Sequence, residues 1–225
     1  MVHKLSWPNI SWGPGLFDLD NDGDLDLFFA NGHLNSVSGD NRQSNLLFEN
    51  DGKGHFADIS ESSGILATGK RIHRGALFAD YDNDGRVDIY VTVNGQQVED
   101  GNGNIVFDTN QGKGVLFHNE TETENSWLKV RLEGTESNRD GFGTIVTIHT
   151  NDKMQKQALS SGQGYFSSNA RELYFGLKGA ETIDQIDVEW LSGTKQSFKN
   201  IPARQTIYIL EGKSLHQNTL ILNNR

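Results

Sequence analysis

The chain has no cysteine among its 225 residues, which excludes disulfides, thiol catalysis and thiolate metal sites. Proline is scarce at 3 residues, whereas 25 glycines fit a chain of many short strands and turns. Its apolar runs fall far short of the roughly 20 residues a spanning helix needs, and mean hydropathy is -0.57. Positive charge is also in short supply. Lys and Arg number 20 against 30 Asp and Glu, a formal charge of -10, which disfavours nucleic acid and anionic membranes as partners. The start, Met1 to Pro8, lacks the apolar stretch of a secretory signal. The expectation is that export is not encoded in this chain, or that the chain is the C-terminal piece of something longer.

Catalytic motifs are missing too. There is no Gly-x-Ser-x-Gly, Walker or dinucleotide fingerprint. Ser161-Gly-Gln-Gly164 lacks the strand-to-helix context and following lysine of a phosphate loop, so it reads as a turn. The seven histidines at 3, 33, 55, 73, 118, 149 and 216 show no spacing of a metal or acid–base site and read as surface or loop residues. His73-Arg74 stands just before a strand at a rim, and packing is expected there. No catalytic residue is assigned, and the chain is expected not to be an enzyme.

What is present is aspartate in a repeated pattern. Asp18-Leu-Asp20-Asn-Asp22-Gly23-Asp24-Leu-Asp26 and Asp80-Tyr-Asp82-Asn-Asp84-Gly85-Arg86-Val-Asp88 stand 62 residues apart. Carboxylates about 5 Å apart at an effective dielectric near 20 repel by roughly 3 kcal/mol per pair, so something must neutralise them. Ca²⁺ takes six to eight oxygens in a tolerant geometry, which carboxylates at alternate positions of a tight loop supply. Asp18, Asp20, Asp22 and Asp26 would offer side chains and Asp24 its carbonyl. The matching set is Asp80, Asp82, Asp84, Asp88 and the carbonyl of Arg86. Gly23 and Gly85 sit where each loop must reverse, and positive φ costs glycine least. An EF-hand would need a glutamate at the twelfth position, but Phe29 and Val91 stand there. All-oxygen donors argue against zinc or copper and leave magnesium or manganese as lesser possibilities. The expectation is two calcium sites.

Strand-like segments, 25–29 and 87–93, follow the loops. The repeat extends further. Gly13-Pro-Gly-Leu-Phe17 matches Gly75-Ala-Leu-Phe-Ala79, and Leu46-Leu-Phe-Glu-Asn50 matches Val115-Leu-Phe-His-Asn119 with a seven-residue longer connection between 96 and 114. Periods of this size signal stacked or radial β units. Beyond the polar stretch 121–126 the rhythm changes to strict alternation in 127–132, 144–149, 186–190 and 206–210, as in half-buried antiparallel strands.

With these motifs, residues 11 to about 119 resemble the FG-GAP/VCBS repeats of integrin-α-like β-propellers, whose Asp-rich loops bind Ca²⁺ between the strands of a blade. Asn138-Arg-Asp-Gly-Phe-Gly143, Ser161-Gly-Gln-Gly-Tyr165, Phe175-Gly-Leu177, Val188-Glu-Trp-Leu-Ser-Gly193 and Ala203-Arg-Gln205 look like an ASPIC/UnbV domain over 127–212. Leu191 stands where that family usually has proline, and Ser167-Ser168 replaces a usual Ser-Gln. The fold expected is all-β, with two partial propeller-like blades at 1–120, a polar linker at 121–126, a small antiparallel β-sandwich or barrel at 127–212 and a frayed tail at 213–225. Two blades leave open edges, so missing N-terminal blades, an oligomer or packing on the next domain is expected.

The resemblance implies a calcium-stiffened adhesion or interaction module that meets a protein or glycan at the cell surface, in an extracellular or periplasmic setting. Two alternatives come from other classes. One is carbohydrate binding, which requires exposed, coplanar aromatics and turns on Trp7, Trp12 and Tyr165. Trp127 and Trp190 lie in alternating strands, where burial is the expectation. The other is an enzyme or accessory protein of natural-product biosynthesis, which requires perturbed ionisable groups outside the two loops.

Overall fold

The computed structural model describes residues 8–34, 40–108, 112–151 and 153–215. Trp7, His3, His216 and most of the expected tail lie outside the described residues.

Four strands, β1 (Ser11–Phe17), β2 (Asp26–Asn31), β3 (Leu46–Asn50) and β4 (Phe56–Asp58), form an antiparallel meander. Alternation decides which face goes inward: Phe28 and Ala30 of β2 and Leu47 of β3 are buried. A 3-10 turn at Ile65–Thr68 leads to β5 (Ile72–Ala79) and β6 (Asp88–Asn94). The long connection foreseen after β6 folds as a hairpin of its own, β7 (Gln96–Glu99) and β8 (Ile105–Asp108), before β9 (Val115–Phe117) returns to pair with β6. Phe17 and Phe78 stack at 4.9 Å, and Phe28 meets Phe78 edge-on at 6.0 Å. These rings join Val87, Ile89 and Val91 in one core shared by the two sheets, the packing expected of neighbouring blades.

The remaining strands make a sandwich. One sheet has β10 (Ser126–Glu133) between β13 (Glu172–Lys178) and β16 (Gln205–Leu210); the other runs in the order β12 (Lys153–Ala158), β11 (Ile145–Thr150), β14 (Thr182–Glu189), β15 (Lys195–Pro202). Leu128, Val130 and Leu132 from the first sheet face Val146, Ile148, Ile186 and Val188 from the second in a single core. Trp190 is buried in it. Neither sheet closes into a barrel. All pairings are antiparallel except β10 with β16, which run parallel with Leu128 opposite Gln205. Alternation reports which face is buried and is blind to strand direction, so the expectation of an entirely antiparallel domain missed this pair. Within the expected linker and tail, Ser126 already belongs to β10 and Leu215 packs against the sandwich core.

A candidate metal centre at the domain joint

Each aspartate loop is the connection of a hairpin. Phe17 pairs with Asp26 across β1 and β2, and Ala79 pairs with Asp88 across β5 and β6. The loops 18–26 and 80–88, here loop 1 and loop 2, therefore leave and re-enter the sheet at the same step of their blades. Both turn through left-handed residues at the same places: Asn21 at φ 62° and Gly23 at 90°, Asn83 at 64° and Gly85 at 90°. Asparagine and glycine are the residues for which that conformation costs least.

The carboxylates organise the loops themselves. In loop 1 the Asp22 N–H donates to Asp18 Oδ1 at 3.1 Å, the Gly23 N–H to Asp18 Oδ2 at 2.9 Å, and the Asp24 N–H to Asp22 Oδ1 at 3.0 Å. Loop 2 repeats this, with Asp84 N–H to Asp80 Oδ1 at 3.0 Å, Gly85 N–H to Asp80 Oδ2 at 3.1 Å and Arg86 N–H to Asp84 Oδ1 at 2.8 Å. The ninth aspartate ties each loop to its blade. Asp26 accepts from the N–H groups of Leu19 and Asn50, both at 2.8 Å. Asp88 accepts from Tyr81 at 3.1 Å and Asn119 at 2.8 Å.

The donor atoms converge, though not as one complete set per loop. Oxygens of Asp18, Asp20 and Asp22 lie within 4.8 Å of one another in loop 1, as do those of Asp80, Asp82 and Asp88 in loop 2. Asp26 is engaged with the backbone, the Asp24 carboxylate lies against Gly52, and Asp84 is paired with Arg86. Asp24 and Arg86 were expected to offer their carbonyls; their side chains lie against Gly52 and beside Asp84. Burial pushes Asp18 up to about 7 and Asp26 to about 6, with neighbouring aspartates adding to both. Burial also raises Asp20 and Asp88. Carboxylates this poorly compensated, with no competing nitrogen or sulfur in the loop 1 cluster, form a donor set that suits a hard dication.

Both loops also face the sandwich. Lys129 of β10 is 1% exposed, and its Nζ donates to Asp80 Oδ2 and Asn83 Oδ1, each at 2.8 Å. The Tyr174 hydroxyl accepts from the Asp80 N–H at 3.2 Å and donates to Glu172 at 2.6 Å. The Lys178 N–H donates to the Asn21 carbonyl at 2.9 Å, and Asn125 Nδ2 to the Asp20 carbonyl at 3.0 Å. The loops bond one another as well, through Asn21 Nδ2 to the Gly85 carbonyl at 3.1 Å. The blades thus pack on the next domain, one of the three arrangements expected of so few blades.

Sequence reasoning missed two groups here. Lys129 read only as a polar position in an alternating strand. His118, dismissed for want of a nearby partner, places Nε2 3.0 Å from Asp82 Oδ2 and 3.9 Å from Asp84 Oδ2. The usable signal was the blade alignment, which sets His118 beside the metal loop where the first blade has Glu49. His73, by contrast, is buried with Nδ1 2.9 Å from the Asn31 carbonyl, and Arg74 bonds the carbonyls of Gly32, His33 and His73. That pair packs the first blade on the second.

The aromatics do not form a flat platform. Trp12 donates its Nε1–H to the Gly32 carbonyl at 2.5 Å, lies under Arg74 and meets Tyr165 at 59°. Tyr165 meets Phe166 at 76°.

Comparison with known proteins places both halves. The family model for the FG-GAP-like repeat matches residues 18–91. The model for ASPIC and UnbV matches residues 134–216. Repeats of the first kind are typically extracellular and serve protein interaction. Human (Homo sapiens) "Cartilage acidic protein 1" is 25% identical over 195 residues, covering 86% of this chain and 27% of that protein. The chain therefore spans about a quarter of the length of this curated relative. No helix among the described residues is long and apolar enough to cross a membrane.

Proposed function

We propose that this chain, FG-GAP-like repeats followed by an ASPIC and UnbV domain, is a non-enzymatic extracellular interaction module whose blades and C-terminal domain are held together by Ca²⁺ in the two aspartate loops. One observation carries the reading: a carboxylate cluster in each loop stands at the joint of the domains, with Asp18 and Asp80 each 5% exposed. Asp18, Asp20 and Asp22 would hold one ion and Asp80, Asp82 and Asp88 the other. When bound, the ion supplies positive charge that the loop 1 carboxylates lack and that Lys129 gives only to Asp80 in loop 2. The protein's own groups set the geometry. Backbone N–H donors fix the aspartate rotamers, and Asn50 in β3 and Asn119 just beyond β9 anchor the ninth aspartates.

An extracellular setting accords with this role. At a dissociation constant of about 10 µM, 1 mM Ca²⁺ adds about 2.7 kcal/mol per independent site, a large share of ordinary stability. A protein partner is favoured over a glycan because the Trp12, Tyr165 and Phe166 rings are tilted against one another rather than coplanar. The test is calorimetric Ca²⁺ titration of the EDTA-treated protein beside Asp20→Ala and Asp82→Ala. Two sites, each lost with its own variant and each raising the melting temperature, support the proposal. No binding at millimolar Ca²⁺ sinks it.

A further inference from the structure

The two loops match in backbone and differ in charge. Loop 1 carries five aspartates, and among the described residues no lysine, arginine or histidine forms an ion pair with any of them; the exposed Lys178 acts on Asp20 only from a distance. Where a cation would be wanted beside Asp18 Oδ2, the chain places backbone, since a Cβ on Gly176 would come within 1.9 Å of that oxygen. Loop 2 has four aspartates, with Arg86 in the place of Asp24. Its guanidinium pairs with Asp84 and donates to the Asn119 carbonyl at 2.6 Å. From the sandwich comes Lys129, fully buried and bonded to Asp80 Oδ2 and Asn83 Oδ1, with Glu172 Oε2 at 4.0 Å.

We infer that the two loops are unequal calcium sites: Lys129 and Arg86 act as built-in cations that hold loop 2 together and weaken its hold on Ca²⁺, so that calcium dependence is concentrated in loop 1. The inference rests on the calcium reading above. Lys129 bonds the Asp80 oxygen that also accepts from Gly85, and Asp80 Oδ1 stays directed into the loop through Asp84. The ammonium therefore orients the carboxylate without filling the cluster, while its charge opposes a second cation nearby. Two unit charges about 5 Å apart at an effective dielectric near 20 shift an equilibrium by well over tenfold before screening. A buried ion pair also leaves a costly lone charge when one partner is removed, so loop 2 keeps its form only while Lys129 is present or a dication replaces it.

The test is Ca²⁺ titration of the full chain after EDTA treatment, with Asp20→Ala and Asp82→Ala assigning the sites, followed by Arg86→Asp and Lys129→Met. Arg86→Asp copies loop 1 at a half-exposed position and is expected to fold. The expected result is two affinities at least about tenfold apart, the tighter lost with Asp20→Ala, and a tightening of the weaker site by about tenfold or more in Arg86→Asp. Lys129→Met is expected to melt lower in EDTA and to gain more from Ca²⁺ than the parent. Equal affinities, a tighter site lost with Asp82→Ala, or an Arg86→Asp variant whose weaker site is unchanged would overturn the inference while leaving two calcium sites in place. Absence of any binding overturns the calcium reading instead.

Discussion

Gly85, in the second aspartate loop, lies directly under the indole of Trp127 on the first strand of the sandwich: a Cβ at Gly85 would meet Trp127 Cε2 at 2.0 Å. The same residue sits at φ 90°. Backbone freedom and interdomain contact thus fall on one position. Gly85→Ala is expected to cost about 2–5 kcal/mol, summing left-handed strain and overpacking, and to lower Tm by roughly 4–20 °C. Gly193→Ala is the control, at φ 94° with open space around it. A Gly85→Ala variant that melts no lower than Gly193→Ala would show that the indole does not press on the loop.

On the calcium reading, protons and Ca²⁺ should compete for loop 1. The folded metal-free protein holds Asp18 at about 7 and Asp26 at about 6, both raised by burial above an ordinary value of 3.8. Their contribution to stability is therefore complete below about pH 4 and lost as pH rises toward 7. Ca²⁺ affinity is expected to run the other way, strengthening over the same window as the protons leave. Titrations at pH 6 in buffers of different ionisation enthalpy should reveal proton release on binding. A heat independent of buffer would contradict the assignment of these carboxylates as ligands or anchors of the ion.

Glu211 links the end of β16 to the loop after β10. Its Oε2 accepts from the N–H groups of Thr135 and Glu136 at 2.8 Å and of Ser137 at 2.7 Å, and its Oε1 accepts from the Ser137 hydroxyl at 2.9 Å. Burial alone would raise its pKa, but the Ser192 hydroxyl and these N–H donors outweigh it and hold the group at about 2. The lowered value means stability that is present above about pH 4.5 and disappears as pH falls toward 2. Glu211→Gln should melt lower at pH 7 and show a smaller loss of Tm between pH 4.5 and 2.5 than the parent. Parallel acid profiles for the two proteins would refute the claim.

Asn119 spans both blades. Its N–H holds Asp88, and its side-chain Nδ2 donates to the carbonyls of Leu19 at 2.8 Å and Val87 at 3.2 Å. Asn119→Ala strips partners from buried carbonyls and should cost about 1–3 kcal/mol. Because Leu19 lies inside loop 1, the variant should also weaken Ca²⁺ binding there. Unchanged titration of both sites would separate the hydrogen bond from the metal loops.

The aspartate loops were legible because ligand spacing, the glycine turn and the strand that follows are all local, and two copies confirmed the frame. The blades came with them, since Phe28, Leu47, Ile89 and Val91 follow simple alternation. The sandwich was readable as strands, but the parallel pairing of Leu128 with Gln205 depends on contacts between distant segments. The same reason hid Lys129. On its own strand it is one polar residue between two apolar ones, and only the docking of β10 against loop 2 turns it inward to Asp80. His118 was hidden less deeply, because its place in the repeat already marked it.

The parallel pairing sets an order of events during synthesis. β10 emerges before both of its sheet neighbours and carries Lys129, yet one of those neighbours is β16, the last described strand. Until that strand arrives, β10 has an unpaired edge, and long-range parallel contacts of this kind form slowly. The second aspartate loop is finished in its own residues long before, so a newly made chain holds four aspartates there without their buried ammonium. During that interval Arg86, inside the loop itself, is the cation already paired there with Asp84, and on the calcium reading a dication would add the charge that Lys129 later supplies.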